Sequence, residues 1–350
     1  MRRAAKLAGL LVLSGAGART AAAQGTPPAT PSVTVGGVVY AQYLYQFKDT
    51  ANHVNNFDIT RSYINVIGKF AGGLGTRVTA DIYRNTDNSL AYRLKYAYAA
   101  YTPGGSALTF KLGEIHTPWL DWEEALWDYR MQGQMAMERG GYISSSDFGA
   151  GVDGNWKKDL VNMQVGIYNG ENYNRGTGDQ RKDAMGRVSA RLMTTDDGSR
   201  VGGLRLTGYG QVGRPTGGGV RDRWIGMLSY RSKMLTLAGE YARTKDRQDA
   251  PPAPATPAAD IDGEVMSVFG VLKIPNSRAA IIGRVDLTDP DTDVSDNRQT
   301  RFIAGVSYQL TPALRLLADV DNVGFEGDAP LAQAVYATKT QGLFQAQFVF

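Results

Sequence analysis

The stretch Gln341-Gly342-Leu343-Phe344-Gln345-Ala346-Gln347-Phe348-Val349-Phe350 decides the fold. Phe344, Ala346, Phe348 and Phe350 occupy every second position, with Gln345, Gln347 and Val349 between them. Strand side chains alternate between two faces, so this spacing predicts a strand with one apolar and one mostly wetter face. The last residue of the sequence is an aromatic on the apolar face.

The same pattern repeats back through the chain. Sixteen strand candidates emerge, at about 33–47, 57–70, 76–84, 90–102, 106–114, 149–157, 161–169, 183–195, 202–213, 221–231, 234–245, 263–274, 279–288, 299–310, 313–323 and 338–350. In the first, Val33, Val35, Val39, Ala41, Tyr43, Tyr45 and Phe47 share one face. Each such signal is weak alone; their number and even spacing carry the argument. The links sort into two sets. After even strands they are short turn compositions such as Thr102-Pro103-Gly104-Gly105 and Pro275-Asn276-Ser277. After odd strands most are longer and more polar, the longest running from Ile115 to Phe148. Another, 246–262, is proline-rich. Short turns at one end and long loops at the other, with an even strand count, is the arrangement of a transmembrane β-barrel. Closing the sheet pairs every backbone polar group without leaving an edge in lipid. The expected fold is therefore all-β: a transmembrane antiparallel barrel of about sixteen strands. A soluble sandwich or propeller is the competing architecture, and it gives no reason for loops to alternate in length.

The amino terminus agrees. Arg2, Arg3 and Lys6 precede the apolar run Leu7–Leu13, and Ala21-Ala22-Ala23 has cleavage-site character. This reads as a signal peptide over 1–23, leaving 24–350 as one barrel domain. The apolar run is too short for a spanning helix, which needs about 20 residues. Removing Arg2, Arg3, Lys6 and Arg19 takes 38 Lys+Arg to 34, against 34 Asp+Glu, so the net charge falls to zero. The basic balance belongs to the leader and is no argument for a nucleic-acid partner. The chain has no cysteine, hence no disulfide framework or thiol site.

If the apolar faces meet lipid, the alternate residues line the lumen. That parity points Arg61, Arg93, Lys95, Lys111, Arg187, Arg191, Arg205, Arg223, Arg284, Arg301 and Arg315 inward, against fewer acids: Asp81, Asp153, Glu240, Asp286, Asp319 and Asp321. Excess fixed positive charge in a narrow pore concentrates anions. The other reading is that Arg and acid pair across strands and stiffen the wall.

The 115–148 loop carries Trp119, Asp121, Trp122, Glu123, Glu124, Trp127, Asp128, Arg130, Glu138 and Arg139. Three Trp are hard to explain in a loop that only faces water. Folded inward, the rings would pack on the wall and the charges would face the solute path. Packing at the rim or a subunit contact is the alternative, since Trp favours membrane interfaces.

The terminal amphipathic strand resembles the closing strand of bacterial outer-membrane barrels. The likeness implies that Phe344, Phe348 and Phe350 serve as a signal to the barrel-assembly machinery. A closer likeness lies in Leu112-Gly113-Glu114-Ile115-His116-Thr117-Pro118-Trp119, Met137-Glu138-Arg139, Ser146-Asp147-Phe148-Gly149 and Gly166-Ile167-Tyr168-Asn169-Gly170, with Phe57–Arg61. In that order they resemble the phosphate-selective porin O and P family. The resemblance implies a sixteen-stranded barrel in the outer membrane of a Gram-negative-type bacterium, in contact with its lipid. It also implies a trimer, passive passage of small ions and solutes, and no cofactor. The dense Lys and Arg set behind phosphate selection in that family does not match residue by residue here.

Catalysis lacks a constellation. The two histidines, His53 and His116, fall in predicted loops, and Ser144–Ser146 resembles no nucleophile elbow. No metal cluster is apparent. About ten residues between the predicted cleavage and the first strand leave no room for the plug of a 22-stranded receptor. The reading is a passive diffusion channel with an anion preference, the alternative being a non-conducting structural or gated barrel.

Overall fold

The computed structural model describes residues 30–48, 54–173, 179–215, 218–248, 259–326 and 339–350. The segment 1–23 read as a leader, His53 and most of the 246–262 loop lie outside these residues. Sixteen strands run through the rest: β1 (Ser32–Lys48), β2 (Asn55–Lys69), β3 (Leu74–Arg84), β4 (Leu90–Tyr101), β5 (Leu108–His116), β6 (Ser146–Trp156), β7 (Val161–Tyr168), β8 (Asp183–Met193), β9 (Gly203–Gly213), β10 (Gly219–Arg231), β11 (Leu235–Gln248), β12 (Ile261–Lys273), β13 (Ala279–Asp289), β14 (Gln299–Thr311), β15 (Leu314–Phe325) and β16 (Lys339–Val349). Every boundary falls within three residues of the range read from the sequence.

Each strand pairs antiparallel with its chain neighbours, and β1 pairs with β16, so the sheet is a closed barrel. The seam reaches the last residue. Gly37 donates its N–H to the Phe350 carbonyl at 2.9 Å, and Phe350 donates back to Gly37 at 3.1 Å. A Cβ on Gly37 would lie 2.4 Å from the Phe350 ring and from the Tyr63 carbonyl, so the close approach requires glycine there.

The alternation has its expected outcome. Val33, Val35, Leu206, Val268, Val306 and Phe344 are exposed on the outer face. Exposed aromatics gather near both strand ends: Phe47, Phe57, Tyr92 and Phe302 toward the long loops, Tyr101, Phe110, Trp156 and Phe348 toward the short turns. Such girdles mark the two membrane interfaces, and the long-loop end is by rule extracellular. The β8–β9 connection is longer than the other links at the short-turn end. It spans 194–202 and buries Val201 inside.

The core also departs from that of a plain barrel. Several inward residues of β10–β13 and β15 are apolar and buried: Ile225, Met227, Ala242, Val265, Phe269, Ile282 and Leu317. They cluster with Trp119, Trp122, Leu126, Trp127, Met131 and Met135 of the β5–β6 connection.

Candidate functional site

The β5–β6 connection is pinched at its neck. Thr117 donates its N–H to the Ser145 carbonyl at 3.1 Å, and its hydroxyl bonds the Ser144 carbonyl. His116, at the root, stacks on Tyr96 with ring centroids 3.9 Å apart and meets Arg77 Nη1 at 3.1 Å through Nε2. Its carbonyl accepts from Gln164 and Tyr168.

Beyond the neck the chain forms α1 (Leu120–Trp127), a helix absent from the sequence reading. Trp119, Trp122, Glu123, Leu126 and Trp127 repeat at helical spacing and are buried. Asp128 ends the helix in the left-handed conformation, φ 59°. A short second helix, α2 (Ala136–Arg139), lies on the return limb.

This segment touches nine consecutive strands, always on residues of the face opposite the exposed apolar one, which places it in the lumen. Arg187 of β8 donates to the Pro118 carbonyl at 2.9 Å. Trp119 packs on Tyr209 of β9, and Arg231 of β10 donates to the Ala125 carbonyl at 2.5 Å. Glu123 lies against Glu240 of β11. Trp127 meets Phe269 of β12 edge-on at 5.5 Å. Arg139 pairs with Asp286 of β13 at 2.7 Å. Tyr129 bonds the Ser307 hydroxyl of β14 at 2.6 Å, and Arg315 of β15 donates to the Asp128 carbonyl at 2.7 Å. Gln345 of β16 donates to the Met131 carbonyl at 2.8 Å.

The opposite wall, β1–β4, carries Tyr40, Tyr63, Arg61, Asp81, Arg93 and Lys95. Asp81 holds Arg61 at 2.8 Å and stands 3.9 Å from Arg93. Lys95 donates to the Tyr63 hydroxyl at 3.1 Å and lies 4.8, 5.7 and 5.7 Å from the rings of Tyr63, Tyr96 and Tyr173. Among the described residues it forms no ion pair with a carboxylate. Facing this wall, Arg130 binds Glu124 and Glu138, each at 2.7 Å. Burial works against its charge, but the two carboxylates outweigh that and hold the guanidinium well above its ordinary range, with Tyr63 and Tyr40 adding to the effect.

The remaining basic residues divide by partner. Lys111 pairs with Asp153, Arg223 with Asp246, Arg284 with Asp286, Arg301 with Asp321, and Arg315 with Asp128. Arg187, Arg191 and Arg205 bond backbone carbonyls instead, and Arg187 also lies 4.0 Å over the Trp122 ring.

Two corrections follow. Lys95, Arg187, Arg205, Arg223 and Arg284 point inward but are buried, so they do not line open lumen; α1 and the β8–β9 connection cover Arg187 and Arg205, and the return limb meets Arg223 at Tyr142 and Arg284 at Gln134 and Met135. Glu123 faces no solute path, because it sits on the wall side of α1 with its carboxylate buried. Asp121 is half-buried, held by Arg200 at 2.8 Å, while Asp128 is exposed. Phe344, Phe348 and Phe350 are exposed on the outer face, with the last two stacked.

Several residues of the lumen escaped the sequence reading. Arg77 shares the inward face of β3 with Asp81, so parity could have found it. Tyr96 could not be placed that way, because a register shift opposite Thr79/Ala80 puts both Lys95 and Tyr96 inside. The hydroxyls of Ser144 and Ser146 bond backbone carbonyls, and His116 faces Arg77 and Asp121. Among the described residues no three His, Asp or Glu converge as a metal site.

Comparison with known proteins adds the family. Residues 9–328 match the family model described as Gram-negative porin. A search of curated proteins returned no significant match. Among solved structures, the anion-selective porin from Comamonas acidovorans aligns over 91% of this chain and 100% of its own, with 16% identity and a TM-score of 0.65. OmpF of Salmonella typhi, in complex with daunomycin, aligns over 91% and 97%, with 12% identity and a TM-score of 0.67. The trimer form of in-vitro folded OmpT from Vibrio cholerae aligns over 91% and 99%, with 10% identity and a TM-score of 0.62. At these identities the likeness is one of fold. With the family model spanning most of its length and a closed sixteen-stranded barrel behind it, this chain belongs to the Gram-negative porin family and is a passive diffusion channel of the outer membrane.

Proposed function

We propose that solutes pass between the 117–145 segment and the β1–β4 wall, and that this passage weakly prefers anions. One observation carries the preference: on one wall Arg61 and Arg93 share a single carboxylate, Asp81, and Lys95, buried behind them, has no carboxylate partner among the described residues. Across from them two carboxylates share Arg130. The constriction is thus positive on its wall side and negative on its loop side. Five of the eight other basic residues of the wall meet an acid, three across strands, one along its own strand and one on the lumen segment, which favours a modest selectivity over a steep one.

The anion-selective neighbour supports this reading by fold alone. The kinship to the phosphate-selective O and P family extends, on this reading, to the motifs flanking the segment, and the solute class is small anions without phosphate specificity. We also take residues 1–23 as a leader, 24–350 as one barrel unit, and the working form as a homotrimer in outer-membrane lipid. Phe344, Phe348 and Phe350 would present the assembly signal. We read the chain as a transporter and not a catalyst: the Ser144 and Ser146 hydroxyls bond backbone carbonyls, and His116 faces Arg77 and Asp121.

Reversal potentials across planar bilayers in a salt gradient test the preference. The expected result is an anion-side potential, with the anion-to-cation permeability ratio falling roughly two- to threefold in Lys95→Gln. Cation preference in the unmodified protein would refute it.

A further inference from the structure

Beside this path lies a cavity of about 220 Å³, between the return limb of the lumen segment and the long-loop ends of β4, β6, β8 and β10. At about 30 Å³ per liquid water it has room for roughly seven waters, the scale of a very small solute. Its charges are sorted by side. Arg61 and Arg93 enter from β2 and β4 with only Asp81 between them, two cations to one acid, with Lys95 buried behind them. Asp147 and Asp183 enter from the starts of β6 and β8. The cation beside them is Arg221, 3.7 Å from Asp183. Glu138, at the rim, shares Arg130 with Glu124.

Neutral donors also fix the positions of these acids. Gly170 N–H donates to Asp147 at 2.6 Å, while the Gln211 amide and the Arg214 N–H donate to Asp183 at 2.8 and 2.9 Å. A singly charged ion would be drawn to one side and repelled by the other. A molecule carrying both charges a few ångströms apart satisfies both at once.

We propose that this cavity is a weak binding site for small amphoteric solutes, free α-amino acids being the class. The carboxylate would lie on Arg61 and Arg93, and the ammonium toward Asp147 and Asp183. The proposal rests on the lumen being an open path, which can be tested separately. The experiment is an NMR titration of the folded, detergent-solubilised protein with L-alanine, using acetate and ethylammonium as single-charge probes. Saturable alanine binding in the millimolar range is expected, about tenfold tighter than either probe. Arg93→Gln and Asp183→Asn should each weaken it about fivefold or more; Arg93→Gln carries the test if Asp183→Asn does not fold. Acetate binding as tightly as alanine would make this an anion site and overturn the proposal. So would alanine affinity untouched by the variants, or no saturable binding. Liposome swelling in arabinose separates the two claims. Arabinose entry without alanine binding refutes the site alone, and alanine binding without arabinose entry refutes the open path alone.

Discussion

Glu123 has no exposed surface, and neither of its carboxylate oxygens has a hydrogen-bond partner among the described residues. Burial, and next the facing Glu240, push its pKa well above the ordinary 4.5. A raised acid pKa means the fold favours the protonated form. Its contribution to holding α1 on the wall is therefore full below about pH 4.5 and is lost as pH climbs through the raised value. Trp119, Trp122 and Trp127 report this directly. Their emission should shift to longer wavelength as pH rises from about 5 in the unmodified protein. Glu123→Gln, which mimics the protonated acid, should abolish the shift and strengthen the attachment by about 1–3 kcal/mol at neutral pH. An identical shift in both proteins would remove Glu123 from the account.

At the scale of elements, the lumen segment behaves as part of the core. Trp127 is sealed between Phe269 and Tyr129, at ring distances of 5.5 and 5.9 Å. Trp127→Ala should cost about 3–5 kcal/mol of local stability while the sixteen-stranded ladder persists. Single-channel recordings should then show a higher and noisier conductance, whereas an unchanged trace would mean that the segment does not bound the path. The β1–β16 seam makes the opposite prediction. Gly37→Val places branched carbons where only 2.4 Å separates a Cβ from the Phe350 ring and the Tyr63 carbonyl, so the barrel should fail to close. The observable is loss of the folded, heat-modifiable band on gels, and a normal band would count against the seam. Alternation made these strands legible, since one face of each meets lipid. It could not show what the lumen segment packs on. In β12, outward Met266, Val268 and Leu272 alternate with inward Val265, Phe269 and Val271, so both faces are apolar and the period disappears.

At the scale of the whole molecule, the lumen segment fills the side along β8–β16, and the proposed path runs along β1–β4. Parity placed the arginines inside, but it could not say which acid each would meet, because cross-strand partners depend on register. Nor could it show that Arg187 and Arg205 would be roofed over by α1 and the β8–β9 connection, and Arg284 by Gln134 and Met135. The sequence supplies the means to test the division, since it has no cysteine and any thiol introduced is unique. The most direct measurement is single-channel conductance before and after a bulky thiol reagent, with one cysteine at Arg61 and, separately, one at Val265. The account predicts a lowered current for Arg61→Cys and no reaction or change for Val265→Cys. Block at Val265→Cys, or none at Arg61→Cys, would contradict it.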